Sequence, residues 1–255
     1  MLQSLKKHSL NSMNKLIRAL KGLKLAFSHI ERFDSSYFRS KRIAIVGPAS
    51  SAFNTDKGKD IDGYDIVVRV NKSALTVDVG KSSKDIGIRT DILFHCFLEN
   101  LYSGGGPLDF EMYRRQGIQY VINPRNEWTG LRNSYNFYKK YLSAQRTYVL
   151  PRGLYKRIAS SLNGFRPTTG YSALYALLEA EFDELYITGF TFFKTAYGTG
   201  YRDEMKESAQ ARNFMNEVGL HNPDVELQEF KKLVKRHANK RVVLDRELSE
   251  ILANY

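Results

Sequence analysis

Residues 43–71 contain the stretch that decides the fold. It begins Ile43-Ala-Ile-Val-Gly-Pro-Ala-Ser-Ser51 and ends Asp65-Ile-Val-Val-Arg-Val-Asn71, so that two short apolar runs each stop at small or polar residues. Near-continuous apolar runs of this length are typical of parallel strands that are buried on both faces of a sheet. Small residues after the first run let the backbone approach a ligand closely, at the edge where open α/β sheets bind ligands. The stretch predicts a parallel sheet with a binding loop after its first strand.

Further apolar runs follow along the chain and alternate with segments of helical periodicity. The predicted strands are Arg42–Val46, Asp65–Val70, Asp91–Phe94, Gln119–Ile122, Thr147–Leu150, Glu184–Thr188 and Arg241–Leu244. The predicted helices are Gly170–Glu181, Met205–Val218, Asp224–Lys235 and Arg246–Leu252. This alternation predicts the α/β class, with a Rossmann-like, mostly parallel sheet flanked by helices on both faces. The first loop lacks the G-x-G-x-x-G pattern, so the dinucleotide-binding fingerprint does not apply.

A basic N-terminal segment, residues 1–38, precedes a single α/β domain predicted at residues 39–255. Apolar residues recur at spacings of three and four from Met13 to Ile30, with lysines between them, which predicts an amphipathic helix over residues 1–33. Three interpretations of this helix stay open. It packs on the domain or on a second copy, it lies on an anionic membrane surface, or it is a frayed basic arm.

The charge of the chain favours anionic partners. The 255 residues carry a net charge of +12, and residues 1–40 hold eight Lys or Arg against Glu31 and Asp34. Such a balance suits nucleotide phosphates, acidic glycans, anionic lipid or nucleic acid. It therefore leaves open a nucleic-acid- or anionic-surface-binding α/β protein without catalytic activity.

Two absences in the sequence bear on where the protein acts. No run of eighteen apolar residues occurs, so we expect no membrane-spanning helix, and we find no pattern of a cleavable signal peptide. Cys96 is the only cysteine, which excludes an internal disulfide, and its apolar neighbours predict a buried strand thiol. We expect a cytoplasmic protein that could lie peripherally at a membrane.

Two later motifs each precede a predicted helix. In Arg166-Pro-Thr-Thr-Gly170, Thr168 or Thr169 is a natural N-cap, and the free N–H groups of the first helical turn would suit a phosphate. In His221-Asn-Pro-Asp-Val-Glu226, the residues after His221 form a good helix start. The positive end of the helix dipole disfavours imidazolium, which keeps His221 available as a neutral base near pH 7.

Taken together, these motifs resemble those of the animal-type sialyltransferases, which use CMP-sialic acid. The long motif of that family is matched by Gly47, Gly58, Ile61-Asp62, Asp65, Val67, Arg69, Asn71 and Asp85-Ile-Gly-Ile-Arg-Thr90. The short motif is matched by Pro167–Gly170 and by Gly189-Phe190, and the last motif by His221 and Glu226. The animal members carry a membrane span, so this chain would resemble a bacterial or viral member without one.

The resemblance implies a CMP-sugar donor, a glycan or glycolipid acceptor, inversion at the transferred sugar, and neither a metal nor another cofactor. CMP-Kdo is a second donor that fits. The implied donor-binding residues are Gly47, Ser50, Ser51, Asn71, Thr168, Thr169, Gly170 and Tyr197. The implied catalytic residues are His221 as the general base, Tyr201 as a stabiliser of the departing CMP, and Glu226, which could orient the imidazole or the helix start. Arg202 is a second candidate for the role of Tyr201.

One residue departs from the family pattern, and one other motif suggests different chemistry. The family has Asn directly after the first glycine, where this chain has Pro48, so Ser50, Ser51 or Asn54 would have to replace that contact. Asp60-Ile-Asp62 has the D-x-D spacing with which many nucleotide-sugar transferases chelate a divalent cation. A metal-dependent transferase that uses Asp60 and Asp62 is therefore an alternative, although these acids precede a predicted strand and do not follow one.

Overall fold

The computed structural model describes residues 2–79, 82–100, 103–203, 207, 209–210 and 219–254, with the backbone alone for residues 2–12 and 78–79. Eight strands form one sheet in which every neighbouring pair is parallel. The strands are β1 (Ile30–Arg32), β2 (Arg42–Val46), β3 (Ile66–Val70), β4 (Ile92–Phe94), β5 (Tyr120–Asn123), β6 (Thr147–Val149), β7 (Glu184–Thr188) and β8 (Val242–Leu244). Their order across the sheet is β1-β6-β5-β4-β3-β2-β7-β8. The predicted α/β class and parallel sheet are confirmed.

Nine α-helices accompany the strands in the described part of the chain. They are α1 (Leu2–His29), α2 (Gly58–Asp62), α3 (Ser83–Ile86), α4 (Phe110–Arg115), α5 (Trp128–Tyr141), α6 (Arg152–Ser160), α7 (Thr169–Glu179), α8 (Pro223–Arg236) and α9 (Arg246–Asn254). The predicted helix Met205–Val218 falls largely outside the described residues. Cys96 is buried as predicted, but it lies two residues beyond the end of β4 and not within a strand.

The centre of the sheet is buried on both faces because its strands carry apolar residues at most positions. Ile43, Ala44, Ile45 and Val46 of β2 are fully buried, and so are Val67 and Val68 of β3. Helix α7 covers one face of these strands, and Leu174, Leu177 and Leu178 in it are also fully buried. Burial of each such leucine contributes roughly 2 kcal/mol. A rigid core thus lies directly beneath the carboxyl ends of β2, β3 and β7.

The N-terminal segment contributes an edge strand as well as a helix. Helix α1 ends at His29, and β1 follows at once and pairs with β6. The side of α1 that faces α5 carries small residues, since a Cβ added to Gly22 would lie 2.6 Å from the Cα of Lys139. None of the described helices is both long enough and apolar enough to cross a bilayer.

Candidate active site

The order of the strands reverses between β2 and β7, and a cavity lies at this point on the carboxyl edge of the sheet. The chain runs outward from β2 through β3, β4, β5 and β6, and then returns to place β7 on the other side of β2. A cavity of about 360 Å³ is lined by the residues that follow β2, β3, β5 and β7 and by the first turn of α7. Such a reversal is where open α/β sheets bind their ligands.

Two glycines bring the ends of β2 and β7 into direct contact. Gly47 donates its N–H to the Thr188 carbonyl at 2.8 Å, and a Cβ on Gly47 would lie 2.2 Å from the Gly189 oxygen. Gly189 has a φ of +75°, a left-handed conformation that favours glycine. Gly189 lines the cavity, whereas Gly47 lies beneath it, packed on the opposite backbone. Gly47 therefore shapes the floor of the cavity.

The loop after Gly47 turns Pro48 and Ala49 toward the cavity and the two serines away from it. Ser50 donates its N–H to the Ala196 carbonyl at 2.9 Å. The Ser51 hydroxyl lies 3.4 Å from a carboxylate oxygen of Asp245, beside a separate surface depression. Pro48 thus occupies the wall at the position where the family has asparagine, and neither predicted serine lines the cavity.

Asn71 is the residue of the long motif that reaches the cavity. It follows β3 with a φ of +50°, and its Oδ1 accepts a hydrogen bond from the Cys96 N–H at 3.1 Å. A Cβ on Gly104 would lie 3.3 Å from Asn71 Nδ2 and 3.2 Å from the Tyr201 hydroxyl, so these two polar groups meet at one place on the wall. The amide nitrogen of Asn71 is therefore presented to the cavity beside a phenol.

The other residues of the long motif fix the backbone around the site. Arg69 is fully buried, and its guanidinium donates to the Ile86 carbonyl at 2.5 Å and to the Thr90 hydroxyl at 2.9 Å. Burial lowers the pKa of Arg69 to about 10. Asp85 accepts the N–H groups of Thr55 and Asp56 at 2.8 and 2.9 Å, which ties down the loop that leaves β2. These charged residues hold the strand ends in place.

The D-x-D pair lies on α2, away from the cavity. Asp60 pairs with Lys57 at 2.9 Å, and Asp62 accepts the N–H of Arg89 at 2.9 Å and that of Ile88 at 3.0 Å. Within the described residues, no three His, Cys, Asp or Glu side chains are arranged to hold a metal ion. The structure thus gives Asp60 and Asp62 partners within the protein. The expectation that the enzyme needs no metal and no cofactor stays a prediction.

The first turn of α7 forms one side of the cavity. Thr168 is the N-cap, and its hydroxyl oxygen accepts the Tyr171 N–H at 3.1 Å. Thr168, Thr169 and Gly170 all line the cavity, and the amide groups of this first turn have no acceptor within the helix. The positive end of α7 is therefore directed at the site, where it favours a negatively charged group.

Glu226 lies behind this turn. It is 2% exposed, and its Oε1 and Oε2 lie 2.6 Å from the N–H and 2.8 Å from the hydroxyl of Thr168. Burial raises the pKa of Glu226 to about 8, although the hydrogen bonds from Thr168 act in the opposite direction. The predicted contacts of Glu226 were with the His221 imidazole or with the start of its own helix, whereas the structure places its carboxylate on Thr168 at the start of α7.

His221 lines the cavity next to the residues that lead into α7, with one ring nitrogen already bonded. Its Nδ1 lies 2.5 Å from the carbonyl oxygen of Arg166. Because a carbonyl can only accept, Nδ1 carries the hydrogen, and Nε2 of the neutral ring keeps a lone pair. Burial lowers the pKa of His221, and the charges of Arg166 and Arg125 lower it further, while the bond to the Arg166 carbonyl acts against this shift. The arrangement can accept a proton at Nε2.

Tyr197 and Tyr201 line the cavity beside the residues that follow β2 and β3. Tyr197 forms an antiparallel bridge with Ala49, and the two tyrosine rings lie 5.0 Å apart. Tyr201 is buried, which raises its pKa, so the phenol remains a hydrogen-bond donor at neutral pH. Arg202 is 5% exposed and also lines the cavity. Both predicted tyrosines thus lie at the site.

Arg125 is a cavity residue that the sequence reasoning missed. It follows β5, is 8% exposed, and donates from Nη2 to Glu127 Oε1 at 2.6 Å. Its Nε is buried with no hydrogen-bond partner among the described atoms. The sequence did hold a signal, since Arg125 comes three residues after the predicted strand Gln119–Ile122, on the same edge as Asn71. Arg125, Arg166 and Arg202 make the cavity basic.

Known proteins were compared with the chain in sequence and in structure. The model of Glycosyltransferase family 29 (sialyltransferase) matches residues 2–238. No curated protein matches the sequence. A mammalian sialyltransferase structure is similar, with 16% identity and a TM-score of 0.54 over 88% of this chain and 78% of that one. The same comparison gives 13% identity and a TM-score of 0.50 for the alpha-2,3-sialyltransferase Cst-I from Campylobacter jejuni, over 81% of this chain and 76% of that one.

The two solved structures share the fold with this chain at low identity, and the family model extends over nearly all of the sequence. The resemblance of the motifs is thereby confirmed at the level of the family. The chain belongs to glycosyltransferase family 29, the sialyltransferases, and is a glycosyltransferase.

Proposed function

We propose that this protein transfers sialic acid from CMP-sialic acid to a hydroxyl group of a glycan or glycolipid, with inversion at the anomeric carbon. The observation that carries the proposal is His221, whose Nδ1 is bonded to the Arg166 carbonyl while the ring lines the cavity. A base fixed in this way can take the proton of an acceptor hydroxyl at Nε2. CMP-Kdo, another CMP-linked acidic sugar, is the second donor that suits a basic cavity.

In the proposed reaction, the acceptor oxygen forms a bond to the anomeric carbon on the face opposite the phosphate, and its proton passes to His221 Nε2. The bond between the anomeric carbon and the phosphate oxygen breaks, and CMP leaves with the electron pair. Attack from the opposite face inverts the configuration of the sugar. His221 acts as the general base, which typically contributes about 10²–10⁴ in rate.

The remaining cavity residues suit the two halves of the donor. We assign Asn71 to the cytidine, because its amide nitrogen is presented at the end of β3. We assign Tyr197, Tyr201 and Arg202 to the phosphate, whose growing negative charge these donors would stabilise as CMP leaves. The first turn of α7 offers N–H groups and a positive dipole end to a carboxylate or phosphate. A variant of the CST-II sialyltransferase, 16% identical with a TM-score of 0.50, was solved in complex with CMP, which supports a CMP-linked donor for this chain.

Calorimetric titration of the purified protein with CMP, UMP, GMP and AMP, with and without EDTA, tests the proposal. We expect selective binding of CMP that survives EDTA and weakens in Asn71→Ala. The matched control is Asn136→Ala, which changes an exposed asparagine on α5. Preference for another nucleotide would replace CMP by a different class of donor, and loss of binding in EDTA would favour the metal-dependent alternative. Binding of nucleic acid without any binding of CMP would favour a nucleic-acid-binding protein that has no catalytic activity.

A further inference from the structure

Six bulky apolar residues of helix α1 point away from the protein. Small or half-buried residues face α5, namely Ala19, Gly22, Leu25 and Ala26, and the Tyr135 hydroxyl lies 3.4 Å from the Ala19 carbonyl. On the opposite side, Met13, Leu16, Ile17, Leu20, Leu23 and Phe27 are between 42% and 83% exposed. We call these six residues the outer face of α1. The small residues of α1 thus pack against the domain, whereas the outer face is exposed to solvent.

The outer face is a continuous stripe, unlike the isolated apolar residues that are normal on a protein surface. At 1.5 Å per residue, the stretch from Met13 to Phe27 is about 21 Å long. Contiguous exposed apolar surface of this kind marks an interaction site. The reaction proposed above does not use it, since none of these side chains lines the cavity.

The charge around the outer face indicates what covers it. Helix α1 contains six basic residues, Lys6, Lys7, Lys15, Arg18, Lys21 and Lys24, and no Asp or Glu. The neighbouring α5 adds the exposed side chains of Arg132 and Lys139. A second copy docked face to face would bring the same positive charges together, which is unfavourable. An anionic lipid surface offers apolar chains for the stripe and negative headgroups for the lysines.

We propose that α1 lies in the plane of an anionic membrane surface, with its outer face inserted among the lipid headgroups and its lysines paired with their phosphates. No described helix can span a bilayer, so the contact is peripheral. The docking does not depend on the transferase reaction. It would hold the protein beside acceptors that are attached to lipid.

Co-sedimentation with lipid vesicles tests the docking. The full chain is mixed with vesicles of phosphatidylcholine alone, or with vesicles in which one third of the lipid is phosphatidylglycerol. We expect binding to the anionic vesicles only, and a loss of roughly tenfold or more in the variant that combines Leu16→Gln, Leu20→Gln and Phe27→Gln. Replacement of Lys15, Lys21 and Lys24 by Gln should weaken binding about fivefold for each lysine at low salt.

The controls separate docking from misfolding and from self-association. Ile88→Gln changes an apolar residue that is 61% exposed outside α1 and should leave vesicle binding unchanged. Unaltered circular dichroism and thermal unfolding of the triple variant would show that the fold is intact. Equal binding by the triple variant, or no binding of the parent protein to anionic vesicles, would overturn the proposal. A sedimentation-velocity dimer that the triple variant abolishes would assign the outer face to a second copy, and would also overturn it.

Discussion

The carboxylate of Glu226 on α8 is bonded to Thr168 at the start of α7, with its two oxygens 2.6 Å from the Thr168 N–H and 2.8 Å from the Thr168 hydroxyl. Thr168 in turn caps α7, whose first turn lines the cavity. The helix that follows His221 and the helix whose first turn lines the cavity are therefore joined by a buried contact. We infer that Glu226 is a positioning residue of the site.

Replacement of Glu226 should change how stability depends on pH. Because the folded protein raises the pKa of this carboxyl to about 8, the protonated form is favoured in the fold. Its contribution to stability is complete below the ordinary pKa of 4.5 and is lost as the pH rises through 8. We expect the free energy of unfolding of the parent protein to fall in this window by up to about 1.4 kcal/mol per pH unit. Glu226→Gln, which mimics the protonated carboxyl, should remove this slope in urea titrations at several pH values.

A second substitution at this position isolates the hydrogen bonds. Glu226→Ala leaves two donors of Thr168 without their acceptor, which should lower the free energy of unfolding by about 2–4 kcal/mol. Glu229→Gln, on the same helix, is the matched control and should keep the pH slope of the parent. If Glu226→Gln unfolds like the parent at every pH and yet loses kcat, Glu226 takes part in the chemistry and is not a positioning residue.

The sequence predicted the buried strands and the edge strand β8 well, but it missed the edge strand β1. The bounds predicted for β2 and β7 are those observed, because their apolar runs end sharply at Gly47 and Gly189. Strand β1 was missed because Ile30 continues the helical spacing of apolar residues in α1. A strand of three residues is also too short to show the alternation of apolar and polar residues that predicts a strand. Helix α5 was missed because it buries Asn133 and Ser134 among its aromatic residues, so that it lacks a simple apolar stripe.

The sequence predicted which motifs come together at the candidate site, but not the direction in which their side chains point. Asn71 follows a parallel strand, and Thr168 and His221 precede the helices that lead into the next parallel strands, so all three lie at the same edge of the sheet. The direction of a side chain in a loop depends on tertiary contacts. The bridge between Ala49 and Tyr197, for example, turns Ser50 away from the cavity, and no local pattern encodes that bridge.

Gly47→Ala tests the contact between β2 and β7. The added Cβ would lie 2.2 Å from the Gly189 oxygen, so the two strands must separate at the floor of the cavity. We expect a loss of about 2–3 kcal/mol in the free energy of unfolding, together with weaker binding of CMP. Gly153→Ala in α6 is the control, since its Cβ would meet nothing within 4 Å, and it should stabilise the protein by about 0.5 kcal/mol. Equal stability of the two variants would contradict the close approach.

His221→Ala should abolish turnover and leave donor binding nearly intact. Loss of a general base lowers kcat by about 10²–10⁴, whereas the affinity for CMP should change little. The parent protein should lose activity in acid as His221 is protonated. Because burial lowers the pKa of His221, this loss should occur below pH 6.5, the ordinary value for histidine. The measurements are the pH profile of kcat/KM and calorimetry with CMP.

The control for this prediction is His237, the residue that follows the other end of α8. His237 pairs with Glu179 at the far end of α8, where its Nε2 lies 3.2 Å from the carboxylate. His237→Asn should keep the parent's profile. Full turnover in His221→Ala would remove His221 from the mechanism.

Replacement of Arg125 should change both the pKa of His221 and the affinity for the donor. Its positive charge lies close enough to His221 to lower the pKa of the imidazole, and its guanidinium is on the wall of the basic cavity. Arg125→Gln removes that charge, so the pKa of His221 should rise and the acid limb of the kcat/KM profile should move to higher pH.

The loss of one cation in Arg125→Gln should also weaken binding of the doubly anionic CMP-sialic acid more than binding of cytidine. Arg132→Gln on the exposed side of α5 changes the net charge equally and should do neither. If the two variants shift the profile alike, the effect reflects overall charge, whereas a shift in Arg125→Gln alone places this arginine at the reaction centre.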